Sequence, residues 1–252
     1  MLALIIKNIN IQSPKENIVS DSTSSLNILV NIFASPVNAY EDLQKNYPIL
    51  LPLLLSIGIS ILSIALLYSN IDYKWLIDHM VELQAGDTSP AQQEQMRKGM
   101  GSMSPRTMGM LASASIIIML FIIYSLYAAY LLMISNLNND GIGFKKWFSF
   151  ISWSFLPSLL GGVASIVTIL SSNNGQIAPE TLNPLSLNEL FFSLDPSHGM
   201  GAILASTDIS IFWILTIMTL GYAKWTQRAY FNSFLLVSAP LLAYYAIRIL
   251  MA

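Results

Sequence analysis

The sequence predicts an all-α fold, a polytopic membrane helical bundle with five transmembrane helices. Three observations predict it. The chain is 54% hydrophobic and only 10% charged, against roughly 25% charged residues in an average soluble domain. The segment from Pro48 to Ser69 reads PILLPLLLSIGISILSIALLYS without a charge, long enough at 1.5 Å per residue to cross a hydrocarbon core about 30 Å thick. Four further apolar segments follow, and the charges collect in the loops between them. The expected spans are 48–69, 108–137, 147–171, 209–223 and 230–251, the fourth being short. Residues 1–47 read as an N-terminal segment with short amphipathic helices, and 48–252 as one membrane domain.

At the N-terminus the apolar run Leu2 to Ile6 is too short for a signal-peptide core and has no positive region before it, so the first span is expected to act as an uncleaved anchor. Ahead of that span, Leu26, Leu29, Val30 and Phe33 fall at helical spacing, which predicts a short interfacial helix. Pro36 ends it and opens a second, with Ser35 at the cap position. This pair reads as a docking arm or, alternatively, as a partner face built on Leu29 and Phe33.

Between the first two spans, Trp75, Leu76, His79, Met80 and Leu83 recur at three- and four-residue steps, as in an interfacial helix. Ser89 with Pro90 and Ser104 with Pro105 read as helix starts. Met80, Met96, Met100, Met103, Met108 and Met110 cluster here. Thioethers can bind monovalent copper, but irregular spacing and one nearby histidine favour methionine as apolar gap-filler.

In the third span Ser154, Ser158, Gly161, Ser165 and Thr168 are three or four residues apart and so share a helix face. Small residues at this spacing let backbones approach and exchange hydrogen bonds where lipid removes the hydrophobic drive between helices. Ser56, Ser60 and Ser63 continue the pattern in the first span. Pro157 predicts a kink beside the stripe, and Pro240 another in the fifth span. Tyr124, Tyr127 and Tyr130 mark the second span. Packing is the simpler role for Ser154, Pro157, Ser158, Gly161, Ser165 and Tyr127, and lining a path is the other. In the loop after the third span, Ser186 and Glu189 fit a capping box and predict a short helix stopped by Asp195 and Pro196. His198 is expected in a flexible turn with Gly199 and Gly201.

Absences narrow the function. The span interiors hold no ionisable residue of the kind that coupled carriers place there. Arg248, near the end of the fifth span, can snorkel. Serine-hydrolase, P-loop, dinucleotide-binding and zinc-protease patterns are missing, so no catalytic residue, cofactor or metal is expected. A net charge of −2 gives no basic field for nucleic acid. With no cysteine, disulfides and thiolate sites are excluded. Lys7, Lys15 and Lys45, then Lys145 and Lys146, then Lys224 and Arg228 fall in three loops that alternate to one side. The loop from Ser172 to Asp208 has acidic residues and no Lys or Arg. The positive-inside rule therefore predicts a cytoplasmic N-terminus, with Lys74, Arg97, Lys98 and Arg106 dissenting on the far side.

Three blocks, NIFASPVNAYEDLQKNYPILLPLLLSIG, GFKKWFSFISWSFLPSLLGGVAS and IFWILTIMTLGYAKWTQ, together resemble a bacterial member of the Yip family of membrane proteins. The family's F-x-S-P element is matched by Phe33, Ser35 and Pro36, and its proline-containing third helix by Trp153, Pro157 and Gly161. The resemblance implies five transmembrane helices, a cytoplasmic N-terminus and, for eukaryotic relatives, interaction with Rab-type GTPases, for which this short N-terminal region offers no evident docking tail. The resulting expectation is a non-enzymatic scaffold or interaction protein of a bacterial inner membrane. It contacts lipids and a membrane or cytoplasmic protein partner, and can oligomerise through a serine-glycine face. A small-molecule or lipid permease is the alternative.

Overall fold

The structure is a computed structural model that describes residues 24–85, 88–196 and 199–251. The readings made for Leu2 to Ile6, Lys7, Lys15 and His198 lie outside the described residues.

Two short helices lead in. In α1, Ser25–Ala34, the Ser24 hydroxyl accepts from the Leu26 amide. Ser35 ends α1 and Pro36 opens α2, Pro36–Lys45, the break that the Ser-Pro pair predicts. Ser35 occupies the cap position without making a side-chain capping bond. The buried face of α1 is rotated from the expected one. Ile28 and Ile32 are fully buried, whereas Leu26 and Val30 are 63% and 64% exposed. Apolar residues flank both sides of Asn27 and Asn31, so spacing fixes a helix here but not which flank turns inward.

The spans follow. Helix α3 covers Leu50–Asn70. Two further helices, α4 at Tyr73–Ala85 and α5 at Pro90–Gly101, precede α6 at Pro105–Asn138. Both Ser-Pro starts are real: Ser89 and Gln92 form a reciprocal capping box, and the Ser104 hydroxyl accepts from the Thr107 amide. The third span is α7, Phe144–Ser154, and α8, Leu159–Ser171, joined through a 3₁₀ turn at Leu156–Ser158. Pro157 lies in that turn, where its missing N–H cannot continue the α-helix. Helix α9 is Gly199–Ala205, α10 is Ser210–Thr226 and α11 is Tyr230–Met251.

Among the described residues four helices are long and apolar enough to cross a membrane: Leu50–Asn70, Pro105–Asn138, Phe144–Ser171 and Tyr230–Met251. The remaining expected span, 209–223, is α10, whose 17 residues cover about 25 Å. It is also more enclosed than the others, with Ile214, Ile217, Met218, Gly221, Tyr222 and Trp225 buried. Elsewhere the bundle turns apolar side chains outward, such as Ile118, Leu126, Leu242 and Ile247, as a lipid-solvated surface requires.

Contacts sort the loops into two ends. At one, Arg228 pairs with Asp140, Lys224 with Glu41, and Lys145 and Lys146 approach the Tyr47 ring. At the other, the Asp72 amide donates to the Gly175 carbonyl, His79 pairs with Glu180, and Ser186 bridges Asp208. Helix α10 runs from the second end to the first. The expected helix after Ser186 is a single wide turn at Asn188–Phe192, closed by Ser193 in the left-handed region and by the Asn188 side chain on Leu194. The Ser186 hydroxyl accepts from the Glu189 amide.

Candidate functional site

The most ordered chemistry lies where α2 meets α7 and α10. Trp147, Phe150 and Ser154 rise on one face of α7, three and four residues apart, while on α10 Gly221 and Tyr222 lie four and three residues before Trp225. Tyr40 projects from α2 between them and is fully buried. Its ring lies 4.8 Å from Phe150 and 6.2 Å from Trp225, and Trp147 stacks on Tyr222 at 5.5 Å. A Cβ at Gly221 would fall 2.5 Å from the Tyr40 ring, so glycine is what admits this approach. The Trp225 indole donates to the Tyr40 carbonyl at 2.7 Å, and the Tyr40 hydroxyl bonds the Ser154 hydroxyl. Burial raises the Tyr40 phenol well above its ordinary pKa, so it stays neutral. The Trp153 indole and the Ser149 hydroxyl both donate to the Pro48 carbonyl, fixing the entry into α3.

Charges rim this junction. Glu41 meets Lys224, which holds its carboxyl below the usual range. Arg228 grips Asp140 through two bonds, 2.9 and 3.0 Å, over the Tyr222 ring. The fork geometry is bidentate, the strong form of an arginine–carboxylate pair. It ties the α6–α7 turn to the α10–α11 turn.

Of the serine stripe, only part is brought together. Ser154 is buried at the junction and also donates to Phe150 O. Ser158 is the exposed last residue of the 3₁₀ turn and donates to Phe155 O. Pro157 is buried in that turn. Gly161 and Ser165 face the opposite end: a Cβ at Gly161 would fall 2.5 Å from Asp208 Oδ2, and Ser165 donates to the Gly161 and Leu182 carbonyls. The turn at Leu156–Ser158 splits the predicted face, because a 3₁₀ step rotates side chains out of the 3.6-residue register. Helix α8 packs on α3, as the serine pattern in the first span anticipates, with Gly162 against Ile59 at the close approach.

The Tyr127 hydroxyl donates to the Val237 carbonyl, and Tyr130 donates to Leu236 at 3.0 Å, both on the turn below Pro240 in α11. Leu29 and Phe33 are half-buried against the core, Phe33 edge-on to Trp213 at 5.6 Å. The exposed apolar residues on α1 are Leu26 and Val30. Among the described residues no group of three His, Cys, Asp or Glu is placed to hold a metal ion.

A family model, the Yip1 domain, matches residues 30–251. The chain belongs to the Yip family. The match begins at Val30 within α1 and takes in the Yip F-x-S-P element, the Pro157 turn and the whole aromatic junction. No curated protein matches the chain, and no solved structure does.

Sequence reasoning missed Tyr40, Trp147, Gly221, Trp225 and the Arg228–Asp140 pair. The three-and-four spacing of Trp147, Phe150 and Ser154, and of Gly221 and Trp225, was available. Nothing local said that Tyr40 would reach them.

Proposed function

We propose that this Yip-family membrane protein is a non-enzymatic scaffold or interaction protein of a bacterial inner membrane, with five crossings and the α1–α2 end in the cytoplasm. The observation that carries this reading is the α1–α2 pair. It is locked onto α7 and α10 through Tyr40, yet keeps Leu26 and Val30 exposed on its outer face. A rigidly held helix with exposed apolar anchors suits a protein partner. The basic residues Lys145, Lys146, Lys224 and Arg228 gather at the same end, in keeping with a cytoplasmic side. With α10 running between the two ends, five crossings accommodate the loop contacts. Three hydroxyls that a permease could turn to a path bond within the bundle, in keeping with a packing role: Ser154 with Tyr40, Ser165 with Leu182 and Tyr127 with Val237.

The test is mild crosslinking in native membranes followed by affinity purification, comparing wild type with Leu26→Asp, Val30→Asp and Ser158→Leu at equal insertion. A defined protein partner lost with the α1 variants and retained with Ser158→Leu supports the interaction role. A co-purifying solute or lipid lost only with Ser158→Leu, and no partner, overturns it in favour of a permease.

A further inference from the structure

Between α3 and α6, at the end opposite α1 and α2, lies a groove of about 830 Å³, within the range of small-molecule sites. Its floor is the close approach of Gly109 to Tyr68, where a Cβ would meet the tyrosine at 3.3 Å. Its walls are small or aliphatic, among them Ile61, Ala65, Ala114 and Ile117. The groove lies at the surface of two lipid-facing spans, so hydrocarbon is what the membrane offers to fill it. At its mouth stands Arg106, in the first turn of α6, where a cation opposes the helix dipole rather than being stabilised by it. Arg106 is exposed, and no carboxylate pairs with it among the described residues, unlike Arg97 on Asp78 and Arg228 on Asp140. No acidic side chain lines the groove.

The geometry points to a binding site for one anionic glycerophospholipid, an acyl chain lying between α3 and α6 and the headgroup phosphate on Arg106. Charge complementarity selects the occupant: a slot of apolar walls with one unpaired guanidinium and no carboxylate in its lining matches an acyl chain attached to a headgroup of net negative charge. The site is independent of the scaffold reading, since it lies at the other end of the bundle from Leu26 and Val30.

The experiment is native mass spectrometry of the full-length protein released from nanodiscs of equimolar phosphatidylglycerol and phosphatidylcholine with identical acyl chains. Wild type should retain phosphatidylglycerol in preference. Arg106→Gln should reduce that preference by about fivefold, near what one basic residue contributes at a charged membrane surface. Ala65→Leu with Ala114→Leu, which fills the slot, should remove retention of both lipids. Arg97→Gln, an interfacial arginine already paired, should leave retention unchanged and controls for general surface charge. Thermal midpoints in detergent confirm that the variants fold. Equal retention of the two lipids by wild type, a preference that survives Arg106→Gln, or adducts that survive the filled slot would each overturn the site, as would a protein dimer in place of lipid.

Discussion

Tyr130 on α6 donates its hydroxyl to the Leu236 carbonyl on α11 at 3.0 Å, the acceptor that Pro240, four residues on, leaves without its helical donor. Tyr127, one turn earlier on α6, donates to the neighbouring Val237 carbonyl. Pro240 and Tyr130 are thus one device, a helix whose freed carbonyl is satisfied by its neighbour. Tyr130→Phe should cost about 0.5–1.5 kcal/mol. In a Pro240→Ala background, where the residue-240 N–H serves Leu236 itself, the same change should cost close to nothing. Unfolding in mixed micelles for the four proteins of the cycle measures this coupling, and additive effects would refute it.

The α2–α10 contact predicts a steric result. Gly221→Ala places a methyl 2.5 Å from the Tyr40 ring, so α2 must lift away, at a cost of about 1–3 kcal/mol. Limited proteolysis should then cut between Pro36 and Lys45 sooner, while cleavage in the α8–α9 region stays at the wild-type rate.

Two serines that look equivalent in the sequence should behave differently. Ser154→Ala removes the partner of a fully buried phenol, and leaving that group unsatisfied costs about 1–3 kcal/mol. Ser158→Ala removes only an exposed hydroxyl bonded to its own turn and should stay within about 0.5 kcal/mol of wild type. Chemical denaturation of the pair checks the contrast.

Acid should loosen the α2 rim. Lys224, by its hydrogen bond and its charge, holds the Glu41 carboxyl below its ordinary value. A group depressed in the folded state contributes above its unfolded pKa, about 4.3 for glutamate, and that contribution is lost as pH falls through the folded value. Hydrogen exchange in α2 should therefore rise as pH drops below that range, after correction for intrinsic rates. Glu41→Gln should abolish the pH-dependent part.

The Arg228–Asp140 fork joins two turns that are far apart in sequence. Asp140→Asn should cost about 1.5–3 kcal/mol, the range for hydrogen bonds to charged groups, and Arg228→Lys should also destabilise, although it keeps the charge, because the fork is lost. Thermal melting of both variants in detergent reads the effect.

Much of the architecture was legible, because span length and charge placement are one-dimensional signals that the bilayer enforces. Pro48 to Ser69 and the Ser-Pro helix starts are of that kind, and so is the grouping of Lys145, Lys146, Lys224 and Arg228 at one end. The face of α1 was not legible. Leu26 and Val30 precede Asn27 and Asn31 while Ile28 and Ile32 follow them, and only the docking of Ile28 and Ile32 chooses between the two flanks. The serine stripe misled for a related reason: spacing assumes an unbroken helix, and Pro157 breaks the register within it. Tyr127 and Tyr130 were noticed, and so was Pro240, but their connection is a tertiary contact with no trace in either segment alone.

The most direct measurement of the central claim, that the α1–α2 end is one cytoplasmic face reached by α10 crossing the membrane, uses the absence of cysteine from the chain. Single cysteines are placed at the exposed positions Gln44, Ala229, Gln95 and Asn173 and probed with a membrane-impermeant maleimide on intact cells and on inverted vesicles. Labelling of Gln44→Cys and Ala229→Cys only from the cytoplasmic side, and of Gln95→Cys and Asn173→Cys only from the opposite side, is the predicted result. Labelling of Ala229→Cys from the same side as Asn173→Cys would contradict it, because α10 would then not cross.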